Sequence, residues 1–425
     1  MLLWLLSCTA NDADTSLEPV YPDIPTAQCG ADHDWVDLNQ TGKVLATNAL
    51  NELSLEREGV ASLLSVAGLE GVEPVYGVDV EQVRYSSQDR GALIEASGLV
   101  VTPRADGEFP LLVWLHPTAG FSPDCGPSGR GLEGAAFPML YASLGYVVVA
   151  PDYVGMNGWA EPSSPDLHPY IAAEPTAVAA LDAARAALDM GAPADPSRTV
   201  FYGVSEGGFA ALVSDQYAAA LAPELTPVAV LSIVPPTDIT ALAVRGTGEF
   251  SDTTAGLAAV VATQQQWYGA PSLESVLQPA YAEGLQELLG EACTGFEFGD
   301  PQAVEDLFTA EFIDAWQTDG GVEPWDCIWE ENSPRTSPVR GASTAPIVLV
   351  TGQEDDLAWT PPVRDTVPEY CAAGRDVLYR ECEGADHVSA AVDTLVWQVD
   401  TLQGLLSGAL DADCVVRDPE PCSTD

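Results

Sequence analysis

The sequence predicts an α/β protein: a doubly wound, mostly parallel sheet with a helical cap inserted between late strands. Apolar runs at 109–115, 146–151, 198–203, 228–234 and 345–351 are largely continuous, as expected of strands buried on both faces. Helical patterns such as 175–188 lie between them, which is the alternation that builds a parallel sheet. The stretch from Pro236 to Ala345 is far longer than an ordinary connection and must form a unit of its own.

Residues 80–102 read as two strands about a polar turn, opening the sheet as an antiparallel edge. Within the long insertion, 253–268, 273–289 and 302–316 have helical length and apolar spacing, so the insertion is expected to be a helical cap. The expected division is 1–8 signal, 9–40 linker, 41–237 first part of the core, 238–340 cap, 341–410 second part of the core and 411–425 tail.

Chemistry concentrates where the strand Arg198 to Tyr202 meets Gly203-Val204-Ser205-Glu206-Gly207 and then the helix-forming run from Phe209. A strand-to-helix turn this sharp brings two backbones into contact, so Gly203 and Gly207 are needed where a Cβ would clash, and Ser205 Oγ is lifted clear of the sheet. Nucleophilic catalysis then requires a base and an acid in the chain order Ser, acid, His. Of His33, His116, His168 and His387, only His387 follows Ser205, in a glycine-containing loop after the strand-like Tyr379 to Cys382. The buried strand at 345–351 ends in Gly352-Gln353-Glu354-Asp355-Asp356, from which Asp355 is the preferred acid, ahead of Asp356 and Glu354. Its role would be to fix the His387 tautomer while His387 takes the Ser205 proton. The oxyanion needs two donors: the backbone N–H of Glu206, and one from the loop His116-Pro117-Thr118-Ala119-Gly120. Pro117 has no N–H, which leaves Thr118. His116 reads as a satisfied loop residue.

With these pieces assembled, the chain resembles the secretory lipases, a family of α/β hydrolases. The resemblance rests on the elbow, on the 116–120 loop with Cys125-Gly126-Pro127-Ser128 after it, on Asp152-Tyr153-Val154-Gly155, His168-Pro169-Tyr170 and Leu181 to Ala186, and on the ends Gly352 to Asp355 and Gly384 to His387. Pro117 departs from the glycine usual in relatives. The resemblance implies hydrolysis of carboxylic esters, acylglycerols among the candidates, through an acyl-enzyme and with no cofactor. The cap aromatics Trp267, Tyr268, Phe296, Phe298, Trp316, Trp325 and Trp329 would shape the acyl pocket. A prolyl-oligopeptidase-type peptidase shares the elbow and triad order, but the roughly 75 residues ahead of the core cannot hold its usual β-propeller. A non-catalytic binding protein on the same scaffold would be expected to have lost a triad member.

Met1 to Cys8 resembles a bacterial lipoprotein signal ending in Leu5-Leu6-Ser7-Cys8, with Cys8 as the lipidation site. The apolar run is short and lacks a basic start, which points to a start codon upstream. Setting Cys8 aside leaves eight cysteines, enough for four disulfides in an exported protein. Loop length suggests Cys371 with Cys382 and Cys414 with Cys422, while Cys125, near the oxyanion loop, is expected to tie to a cap cysteine, Cys293 or Cys327. No paired Cys or His spacing suggests a metal site.

With 64 acidic against 15 basic residues and a net charge of −49, the chain repels nucleic acid and anionic membranes. The expectation is an extracellular or surface-held monomer that touches a membrane only through a lipid on Cys8. So acidic a surface suits a saline medium, where screening relieves self-repulsion. Activity and unfolding midpoint should therefore hold or rise as sodium chloride is added; a steep loss above low salt would contradict this reading.

Overall fold

The computed structural model of the protein describes residues 24–31, 35–66, 71–161, 164, 166–291, 293, 296, 301–336 and 343–422. Cys8, His33 and Phe298 lie outside them. Nine strands form one sheet in the order β1-β2-β3-β5-β4-β6-β7-β8-β9. These are β1 (Val44–Ala49), β2 (Val78–Asp89), β3 (Ala92–Pro103), β4 (Phe109–Leu115), β5 (Val147–Pro151), β6 (Ala194–Val204), β7 (Pro227–Ile233), β8 (Ile347–Gly352) and β9 (Val377–Cys382). Pairing is antiparallel from β1 through β3 to β5, and parallel across β5, β4, β6, β7, β8 and β9. The sheet is thus the mixed, mostly parallel one expected, and β1 is an added edge strand that its mostly exposed, weakly patterned sequence did not announce.

Side-chain alternation along the central strands divides the core in two. Leu111, Val113 and Leu115 of β4, Val147 and Val149 of β5, Phe201 of β6 and Leu349 of β8 enter one apolar cluster. Their neighbours Leu112 and Trp114, Val148, Tyr202 and Val348 enter the other. Both faces are therefore covered, which is why these strands read as unbroken apolar runs.

Helices α1 (Arg57–Val66), α2 (Leu132–Ser143), α3 (Ala173–Asp189) and α4 (Glu206–Leu221) flank the sheet ahead of the insertion. Between β7 and β8 come α5 (Ile239–Gly248), α6 (Asp252–Tyr268), α7 (Pro279–Glu291), α8 (Val304–Leu307), α9 (Ala310–Asp314) and α10 (Trp325–Asn332). After β8 follow α11 (Thr360–Ala372), α12 (His387–Asp393) and α13 (Leu395–Ser407). The inserted helices are fastened to the core by polar contacts as well as packing. Trp267 of α6 donates its indole N–H to Asp89 at 3.0 Å and accepts from Arg90 through its carbonyl at 3.0 Å, all three being buried at the β2–β3 turn.

Four disulfides join Cys29–Cys327, Cys125–Cys293, Cys371–Cys414 and Cys382–Cys422. The Cys125 to Cys293 bond is one of the two expected for that residue. The short-loop pairings Cys371–Cys382 and Cys414–Cys422 are wrong. Cys371 ends α11 and Cys382 ends β9, so the length of the strand, roughly 17–20 Å, separates them. The last segment instead runs beside β9: Cys414 N–H donates to Val377 O at 2.8 Å, and Glu383 and Glu420 bond through their backbones at 2.9 Å. Cys414 meets Cys371 near the end of α11 and Cys422 meets Cys382 at the end of β9, so residues 414–422 are stapled to the core rather than trailing from it.

Four disulfides suit an oxidising, extracellular setting. Cys125–Cys293 ties the segment after α7, and Cys29–Cys327 ties α10, to the rest of the chain. Replacing Cys125 and Cys293 together by serine should cost about 2–5 kcal/mol of stability, read as a lower urea midpoint under non-reducing conditions; an unchanged midpoint would show that the crosslink contributes nothing.

Candidate active site

Gly203 and Gly207 explain the position of Ser205. A Cβ on Gly203 would lie 2.1 Å from the Gly207 carbonyl oxygen, and one on Gly207 would lie 1.9 Å from that of Leu115, so neither position admits a side chain. The β6–α4 turn is thus pressed against the end of β4. Ser205 caps α4 with φ 58° and ψ −119°, outside the conformations an ordinary serine prefers. Its own N–H is satisfied by Ile233 O at 2.8 Å, which ties the strained residue to β7.

Two other strand ends converge on it. Asp355 follows β8 and is 2% exposed. One carboxylate oxygen accepts from Leu357 N–H at 3.0 Å and Ala358 N–H at 2.9 Å, while the other lies 2.8 Å from His387 Nδ1. His387 Nε2 is 2.8 Å from Ser205 Oγ. Because Nδ1 faces a carboxylate it carries the proton, which leaves Nε2 as the acceptor for the serine hydroxyl. His387 is the first residue of α12 rather than a loop residue, with Asp386 capping the helix through Ser389 N–H at 2.8 Å.

The acid and histidine segments are held in register by backbone contact. Gln353 N–H and Glu354 N–H donate to Cys382 O and Ala385 O, each at 2.9 Å. Gly352 allows this, since a Cβ there would sit 2.4 Å from Ala385 O. Asp356 points elsewhere, pairing with Arg245 at 3.0 Å on the surface, and Glu354 is exposed.

Around the serine, Glu206 is the first residue of α4, so its backbone N–H has no intrahelical acceptor and opens beside Ser205. Thr118 is half-buried, and its hydroxyl lies 3.0 Å from Tyr170 OH. The buried His116 ring stacks on Tyr153 with centroids 4.0 Å apart. Its Nδ1 meets Pro117 O at 2.8 Å, but its Nε2 is buried without a partner, so His116 is only half satisfied. Burial pushes its pKa down and keeps the ring neutral.

A polar pair that sequence reading did not find lies beneath the elbow. The fully buried His168 bonds Val154 O through Nδ1 at 2.8 Å and Glu206 Oε1 through Nε2 at 2.6 Å. That short contact fixes the side chain of the residue that follows Ser205, while Glu206 Oε2 is buried without a partner. No spacing signal joins residues 168 and 206; only the motif His168-Pro169-Tyr170 marked the region.

Two cavities open at Ser205. A narrow one of about 40 Å³ is bordered by Tyr170, Ile171, Leu257, Val260 and Leu357. A large one of about 690 Å³ lies between α2 and α12, with Trp114 and Tyr202 of the sheet in its wall and with His387. Among the described residues, none of the cap aromatics expected to shape an acyl pocket lines either cavity, although Phe296 lies against Tyr170 of the narrow one. Trp316, Trp325 and Trp329 are buried on one another, with Trp316 stacked on Trp329 at 4.9 Å, and Trp267 is buried against the β2–β3 turn. Large rings are what a helical insertion needs to fill its interior. Among the described residues no cluster of His, Cys, Asp and Glu could hold a metal ion.

Known proteins share this fold. The esterase LipA that degrades rice cell walls, from Xanthomonas oryzae, superposes with a TM-score of 0.71 at 20% identity, over 87% of this chain and 99% of its own. A hydrolase of Legionella pneumophila described as putative gives 0.76 at 23%, over 85% and 98%. Lipase A of Candida antarctica in its closed state gives 0.66 at 16%, over 90% and 85%. At such identities the likeness establishes the α/β-hydrolase fold. No curated protein matches the sequence. Residues 136–405, more than half of the chain, match the secretory lipase family. The protein therefore belongs to the secretory lipase family and is a carboxylic ester hydrolase.

Proposed function

We propose that the protein is an exported serine hydrolase that cleaves its esters through Ser205, His387 and Asp355. The observation that carries this reading is the continuous chain of 2.8 Å contacts from Asp355 to His387 to Ser205, ending on a serine strained by its turn. Ser205 Oγ adds to the ester carbonyl while its proton passes to His387 Nε2. Asp355, sealed from solvent and holding Nδ1–H, stabilises the imidazolium that results. The carbonyl oxygen, now charged, is met by the backbone N–H of Glu206 and by that of Thr118. His387 then returns the proton to the departing alkoxide as the C–O bond breaks, and water repeats the sequence to free the acid.

Residues 238–340 act as a cap between the two parts of the hydrolase core, 41–237 and 341–410. Support comes from α6, whose Thr253, Gly256, Leu257 and Val260 border the narrow cavity at Ser205. Export follows the family's secretory character and the disulfides, and a lipid on Cys8 would hold the enzyme at a membrane surface.

Purified protein should hydrolyse p-nitrophenyl esters, and Ser205→Ala should lower kcat on the order of a million-fold. Turnover of an aminoacyl amide without ester turnover would instead favour a peptidase, and ester turnover indifferent to Ser205→Ala would remove the serine mechanism. Asp355→Asn keeps the shape of the site but reverses the tautomer preference of His387; kcat should fall about ten-thousand-fold with the circular dichroism spectrum unchanged. Near-full activity in Asp355→Asn, with Asp356→Asn inactive, would move the role to the neighbouring acid.

A further inference from the structure

Two cavities meet at Ser205, and His387 stands in the wall of only the larger one. We propose that the large cavity receives the leaving alcohol and the narrow one the acyl group. The preferred substrates are then esters of short acids with long or bulky apolar alcohols. This rests on the serine mechanism proposed above and adds a polarity to it.

The assignment follows from where the second proton must go. His387 Nε2, 2.8 Å from Ser205 Oγ, takes the serine proton and delivers it to the ester oxygen that departs. That oxygen and the alkyl group behind it must therefore lie on the His387 side of the tetrahedral carbon. The carbonyl oxygen is turned to the backbone donors, and the remaining substituent, the acyl chain, is directed to the side without His387.

The space on each side differs accordingly. On the narrow side Tyr170, Ile171, Leu257 and Leu357 leave about 40 Å³, against the roughly 10–15 Å³ that one water molecule requires. An acetyl- or propionyl-sized group fills it. The cavity on the His387 side holds about 690 Å³, within the roughly 300–1,000 Å³ of small-molecule sites. Apart from Ser205, His387, Glu133, Gln398 and the Tyr202 hydroxyl, its wall is hydrocarbon and aromatic. At its edges Leu132 and Phe137 of α2 and Val388 and Val392 of α12 are 43%, 40%, 67% and 58% exposed. Exposed apolar residues gathered at one opening mark a surface that meets an apolar ligand, here the tail of the alcohol.

Octyl acetate and ethyl octanoate are isomers of equal composition that differ in which side of the ester carries the chain. In a pH-stat assay the protein should turn over octyl acetate with kcat/KM about tenfold or more above that of ethyl octanoate. Ala136→Trp, half-buried on α2, fills the large cavity and should lower kcat/KM for octyl acetate about tenfold more than for ethyl acetate. Ala391→Trp, from the α12 side, should do the same, so a folding defect in one variant does not decide the matter. Preference for ethyl octanoate, lost in these variants, would overturn the assignment by placing the acyl chain in the large cavity. Equal turnover of the isomers, unchanged by either tryptophan, would overturn it too. If no ester is hydrolysed in a Ser205-dependent way, the serine mechanism itself fails, an outcome separate from a wrong polarity.

Discussion

The site depends on one close approach, that of the β6–α4 turn to the end of β4. Gly207 lies so near the Leu115 carbonyl, and Gly203 so near Gly207, that three backbone segments share the space one side chain would need. This compression forces Ser205 to positive φ and turns its hydroxyl away from the sheet. It also sets the first N–H groups of α4 beside the loop that leaves β4. Ser205 and the first N–H groups of α4 are thus aligned by the same steric contact, with Ile233 O and the buried His168–Glu206 pair holding the strained turn from below.

A second approach of the same kind completes the site. Gly352 lets the end of β8 touch the segment before His387, and two backbone hydrogen bonds from 353 and 354 lock the contact. Parallel strands bring such carboxyl ends to one edge of the sheet as a matter of topology. What the local contact adds is the fine setting that brings Asp355 within 2.8 Å of the imidazole. The disulfides from Cys371 and Cys382 to the last segment reinforce this edge, because that segment lies along β9 immediately before the histidine.

The inserted helices divide their apolar residues between two tasks. Trp316, Trp325 and Trp329 pack on one another and Trp267 is buried against the β2–β3 turn, leaving smaller side chains of α6 to close over Ser205. The result is an uneven pair of cavities. The cap side is packed almost shut, whereas the open space lies on the opposite side, between helices of the core. The apolar content of the insertion therefore says more about how the insertion folds than about what the enzyme binds.

Much of this was legible in the sequence because it is encoded locally. Continuous apolar runs betray strands covered on both faces. Glycines two residues either side of Ser205 betray a turn without room for Cβ, and a single histidine downstream leaves one candidate base. Asp355 could be placed near the end of its strand, but preferring it to Asp356 rested on spacing alone; in the fold one is buried against His387 while the other faces Arg245 at the surface. The partnership of His168 with Glu206, the pairing of the last four cysteines and the location of the large cavity had no sequence signal. Each depends on which surfaces of distant segments come together, and a residue's neighbours across a sheet or beneath a helix are set by packing rather than by position in the chain. The sequence by itself determined the central strands, the glycine-flanked turn at Ser205 and the single histidine that follows it; the tertiary structure decided the distances among them and the shape of the space they face.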